Sequence, residues 1–185
     1  MRSRAVLLIV LLLGMAIAPM GSTDSTISTS TTWSGNVVLT GNVTVDSSST
    51  LVLEPGTVVD AQSYWLQIDG TLRASDSEFM TTKTPISQGS TGAGLWGGIL
   101  VSNGALAALS NITISGAETA LDVHGEVTID ESITIRTSYI GFNIEPTGTL
   151  DAENVTMSTI DIQSAVNHGD LAIDTGLFTL SLIHI

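Results

Sequence analysis

The sequence predicts an all-β fold, a parallel β-helix of about seven rungs, and three observations carry that prediction. Gly70, Gly104, Gly125, Gly148 and Gly169 recur with a period of about 22 residues and one enlarged interval. Two positions after each Gly stands an apolar residue (Leu72, Leu106, Val127, Leu150, Leu171), and two further on a second one (Ala74, Ala108, Ile129, Ala152, Ile173). Such alternation describes a short strand with one buried face. Each unit also holds an apolar run before its Gly (residues 65–68, 99–101, 120–123, 140–144, 160–162) and another after the Gly strand (112–114, 133–135, 155–157, 177–180). Three short strands cannot close a core within one unit, but stacked units can, each strand pairing with its equivalent at about 4.8 Å. An antiparallel β-sandwich also uses short strands, yet it gives no reason for the glycines to recur in register.

Taken in order, Arg2 and Arg4 precede an uncharged apolar run, residues 5–18, that ends in small residues. Residues 1–21 therefore read as a signal peptide or uncleaved signal anchor, since the run is short for a spanning helix of about 20 residues. Residues 22–32, rich in Ser and Thr, read as a flexible spacer. The β-helix domain covers residues 33–185, beginning with β-prone pieces punctuated by Gly35, Gly41 and Pro55-Gly56. The enlarged interval places an inserted polar loop at residues 81–94, with Lys83, Gln88 and Trp96 as candidate ligand contacts. The apolar end at residues 181–185 carries no polar cap, which predicts a sequence truncated at its C-terminus.

The succession LEPGTVV, LQIDGTLRASDSEF and LWGGILV, followed by the Gly-anchored units, resembles the right-handed parallel β-helix repeat proteins of the pectin-lyase-like superfamily, in particular secreted bacterial and archaeal members. The resemblance covers residue 33 to about residue 180 and implies a right-handed coil. It also implies two function classes, because the superfamily includes polysaccharide lyases and hydrolases alongside surface proteins of no known activity.

Composition narrows the partners. Beyond the leader only Arg73, Lys83 and Arg136 are basic, against 18 acidic residues, so nucleic acid is not expected to bind. With no Cys, a disulfide framework and lipid attachment through Cys are excluded. The N-T-D, D-D, G-H-G and R-I-K motifs of polygalacturonase-like enzymes are absent, and no catalytic residue is assigned. Asp130-Glu131 reads as a solvated turn. Asp76, Asp130, Glu131, Glu153 and Asp174 would stack into an acidic stripe able to hold Ca²⁺ weakly; no other cofactor or metal site is expected. His124 and His168 precede Gly anchors, at the place Asp69, Asn103 and Thr147 take in other units, and stand two rungs or about 9.6 Å apart, too far to share one zinc ion. Asn42, Asn111 and Asn154 open N-x-Thr sequons and are glycosylation candidates. Of Trp33, Trp65 and Trp96, the latter two are embedded in apolar strands and read as core or cap residues.

Two readings of different class follow. One is a non-catalytic secreted or cell-surface scaffold, structural, adhesive or glycan-binding, with a polysaccharide or surface glycan as partner. The other is the front part of a polysaccharide lyase or glycoside hydrolase whose carboxylates come later. Membrane contact is expected only through an uncleaved signal anchor or an anchor beyond residue 185.

Overall fold

The computed structural model describes residues 23–84 and 92–180. The expected leader at 1–21, the middle of the inserted loop with Gln88, and the apolar end at 181–185 lie outside the described residues. The chain coils through about seven turns of a parallel β-solenoid.

Each turn has three faces. The first is built from β1 (Ser25–Ile27), β4 (Val43–Val45), β7 (Trp65–Ile68), β9 (Trp96–Val101) and β11 (Ala117–Val123). The second holds β2 (Thr31–Trp33) and β5 (Thr50–Leu53), and the third β3 (Asn36–Val38) and β6 (Val58–Asp60). Later strands bend round the corners. β8 (Thr71–Met80), β10 (Leu106–Ser115) and β14 (Asp170–Leu180) serve the second and third faces, while β12 (Glu126–Ile144) and β13 (Thr149–Asn167) continue onto the first. Every described strand pair is parallel, which rules out the sandwich.

Register turns apolar alternation into internal ladders. Val45, Ile68, Val101, Val123 and Ile144 align on the first face, Leu51, Leu72, Ala107, Val127 and Leu150 on the second, and Val59, Phe79, Ile114, Ile135 and Met157 on the third. All fifteen are buried, and together they form one continuous core.

Two expectations need correction. The stretch expected as a flexible spacer contains β1 and β2, which pair with β4 and β5. Thr26 and Thr32 face outward, while Ile27 and the following Trp33 pack on the core, so two apolar anchors suffice for a first rung. The unit at Gly104 is shifted by one: Ala107 and Leu109 point inward, and Leu106 and Ala108 outward.

That shift has a cause in the turn between the first and second faces. Backbone bonds align Ser49, Gly70, Ala105, Gly125, Gly148 and Gly169 in one column, because from Gly70 onward the residue after each donates to the carbonyl of the member one rung below. Four-residue turns (46–49, 102–105, 145–148) alternate with two-residue turns (Asp69 with Gly70, His124 with Gly125, His168 with Gly169). The short turns nest inside the long ones beneath. A Cβ on Gly70 would strike the Asp46 and Ser49 carbonyls, and one on Gly125 those of Ser102 and Ala105, so glycine is obligatory there. Ala105 lies in a long turn and keeps its methyl.

Candidate functional site

The inserted loop leaves the solenoid at the corner between the third and first faces, and buried polar chemistry fixes its root. Asp60 ends β6, where Leu39 and Ala61 bring the third face to a close, and its carboxylate is buried. Oδ1 accepts the backbone N–H groups of Gln62 (3.1 Å) and Thr82 (3.1 Å), and Oδ2 accepts the Thr82 hydroxyl (2.7 Å) and the Gln62 amide. Burial alone would raise this carboxyl's pKa, but the hydrogen bonds from Thr82 and Gln62 outweigh it and hold the group below its ordinary value of 3.8. Gln62, held at φ 56, makes the left-handed bend this corner needs, as do Gly116, Thr137 and Thr159 on later rungs. The Thr81 hydroxyl donates to the Gln62 carbonyl, and Lys83, an exposed residue, donates its backbone N–H to Thr81 Oγ1 at 3.0 Å.

The returning arm is glycine-rich because rings lie against it. Gly94 and Leu95 donate to the carbonyls of Ala117 and Gly116. The Tyr139 ring lies where a Cβ on Gly94 would stand, and Trp65 packs its Cβ against Gly97. Trp96, read both as a ligand contact and as a core or cap residue, is 2 % exposed, which fits the core reading, with its indole N–H donated to the Ser115 carbonyl at 2.8 Å. Trp65, expected inside, is 48 % exposed. Both follow from strand alternation: Leu66 and Ile68 face inward on β7 and force Trp65 out. The insertion thus leaves with Lys83 exposed on its outgoing arm and returns against Tyr139 and Trp65, while Trp96 is withdrawn into the core.

Comparison with known proteins adds no relative: no family model, no curated protein and no solved structure matches the chain. The site is therefore read from its own geometry.

A second cluster, which the sequence reading missed, lies where the first face meets the second. The corner column is Asp46, Asp69, Ser102, His124, Glu145 and His168, each donating its N–H to the first-face strand below. Ser102 and Glu145 thus hold the places expected for Asn103 and Thr147, because the four-residue turns add two residues after them. Glu145 accordingly falls between the two histidines. His124 Nε2 lies 3.4 Å from Asp122 Oδ1, and the Asn143 amide donates to Asp122 (2.8 Å) and Glu145 (3.1 Å). Ligand atoms of Asp122, His124 and Glu145 fall within 4.8 Å of one another on a half-buried surface. Such a set offers three donors to a divalent cation. The signal for it was present in the outward pairs Asp122-x-His124 and Asn143-x-Glu145, one rung apart.

At the corner between the second and third faces, amides interrupt the expected acidic stripe. Asn111 Nδ2 donates to Asp76 Oδ1 at 2.7 Å, Ser132 donates to Asn111 Oδ1, and Asn154 Nδ2 donates to the Glu131 carbonyl at 2.6 Å. Asp76 and Glu131 are therefore separated by a neutral rung. Two shallow depressions of about 240 Å³ and 340 Å³ flank this ladder, the first beside Arg73 and Asp130, the second beside Asp76, Glu78 and Asn111.

Proposed function

We propose that the chain is a non-catalytic secreted or cell-surface β-helix repeat protein of the right-handed, pectin-lyase-like type, a rigid scaffold that contacts polysaccharide or surface glycan at its insertion corner. The observation that carries the reading is the rooting of the 81–94 insertion: Asp60 ties its outgoing arm, and Tyr139 covers its glycine-rich return, so both described ends are fixed to the solenoid. Exposed rings at Trp65 and Tyr139, with exposed threonines and Lys83 on the outgoing arm, suit the alternating apolar and hydroxylated faces of sugars. The acidic surface agrees with a soluble exterior that repels its neighbours.

The test is a glycan array with the exported product, alongside an assay of released reducing ends and unsaturated products with and without Ca²⁺. Binding without cleavage, reduced at least tenfold by the double variant Lys83→Ala, Tyr139→Ala, is expected. Cleavage by this chain would overturn the scaffold reading and favour the enzyme.

A further inference from the structure

Three sequons decorate the solenoid, and the orientation of their amides separates them. Sugar is attached through Asn Nδ2, so the question is which asparagine leaves that atom uncommitted. At Asn111 Nδ2 points at the Asp76 carboxylate at 2.7 Å, and at Asn154 it points at the Glu131 carbonyl at 2.6 Å. Both acceptors lack hydrogens, so the nitrogen and not the oxygen must face them. Both side chains are exposed, and what sets them apart is that each contact commits Nδ2 to an acceptor on the rung below.

Asn42 is held the other way round. Its Oδ1 accepts the backbone N–H of Trp65 at 3.3 Å, a donor that only oxygen can satisfy. The backbone N–H of Asn42 is itself held by Asp24 Oδ1 at 2.9 Å, so the residue is fixed at both ends. Its carboxamide thereby turns Nδ2 away from the sheet. Val43 and Val45 face the core, which puts Asn42 and the Thr44 hydroxyl of the sequon together on the outer side.

We propose that Asn42 is the N-glycan attachment site of this chain, and that Asn111 and Asn154 remain unmodified ladder residues. The inference rests on the export proposed above. In the transfer, the bond from Nδ2 to the anomeric carbon of a lipid-phosphate-linked oligosaccharide forms as the bond from that carbon to the phosphate oxygen breaks. The lipid phosphate leaves with the electron pair, and Nδ2 gives one proton to a basic group of the transferase. The attached sugar stands one rung below the exposed indole of Trp65, which gives its apolar face a surface to lie on.

The experiment expresses the full chain in a yeast that N-glycosylates exported proteins. Intact mass is measured before and after a peptide amidase that removes N-glycans and leaves Asp at the attachment position. A single glycan is expected, lost in Asn42→Gln, retained in Asn111→Gln and Asn154→Gln, with the new Asp mapped to position 42. Glycan surviving Asn42→Gln, or an exported wild type that carries none, overturns the proposal. A parallel sample led by the yeast's own signal sequence separates the two readings: retention of the native chain in the cytosol sinks export alone, while absence of glycan from the leader-driven product sinks Asn42.

Discussion

Asp60 shows how one side chain sets the base of the insertion. Its four hydrogen bonds join the third face, the Gln62 bend and the outgoing arm at Thr82. Asp60→Ala leaves those donors without their acceptor and is expected to cost about 2–4 kcal/mol. The native carboxyl has a depressed pKa, so its contribution is complete above the ordinary value of 3.8 and is lost as pH falls through the lower folded value. Urea unfolding of both proteins from about pH 6 to about pH 2 should show the gap between them closing in acid; a gap constant across that range would refute the assignment. None of this was legible in the sequence, because Asp60 and Thr82 meet only across one rung. The outward stance of Trp65 was legible, since alternation with Leu66 and Ile68 dictates it, and only the ring's apolar character argued for the interior.

Turns, at the scale of the element, decide where glycine is required. Gly98 has φ 103 and would drive a Cβ into the Thr119 carbonyl, whereas Gly104, at φ 81, faces open space. Gly98→Ala is expected to destabilise by about 3 kcal/mol or more, and Gly104→Ala by about 1 kcal/mol, the backbone penalty alone. Thermal and urea unfolding check the contrast; equal losses would mean that the close approach at Gly98 carries no weight. The repeat itself was legible because glycine recurs where short turns nest. Its phase at one unit was not, because Gly104 mimics an anchor and Ala105, the true column member, looks like any strand residue. The cluster of Asp122, His124 and Glu145 was legible only in the outward pairs Asp122-x-His124 and Asn143-x-Glu145, and seeing it required the Asp122-to-Asn143 register between rungs.

Over the whole molecule, acidic excess and parallel stacking act together. Few cations stand among the described residues, so the carboxylates on successive rungs are moderated mainly by interleaved amides and by solvent ions. Raising NaCl from about 0.02 M to about 0.5 M is expected to raise the melting temperature by a few degrees, as screening shortens the Debye length to a few ångströms. A melting temperature that falls or stays level would show that surface repulsion does not limit stability. Fold class was legible at this scale because one pattern, repeated, leaves little choice of how the units associate.

The in-register ladders also determine how the rod yields to a pull along its backbone. Among the described residues each strand pairs only with its equivalents on the adjacent turns, so no later strand straps an earlier one. Tension applied to an outermost turn therefore loads that turn alone. It peels away while the next remains whole, releasing roughly 75 Å of slack for about 22 residues. A tether built this way gives length in instalments, absorbing a shock by shedding turns and rewinding them when the load drops.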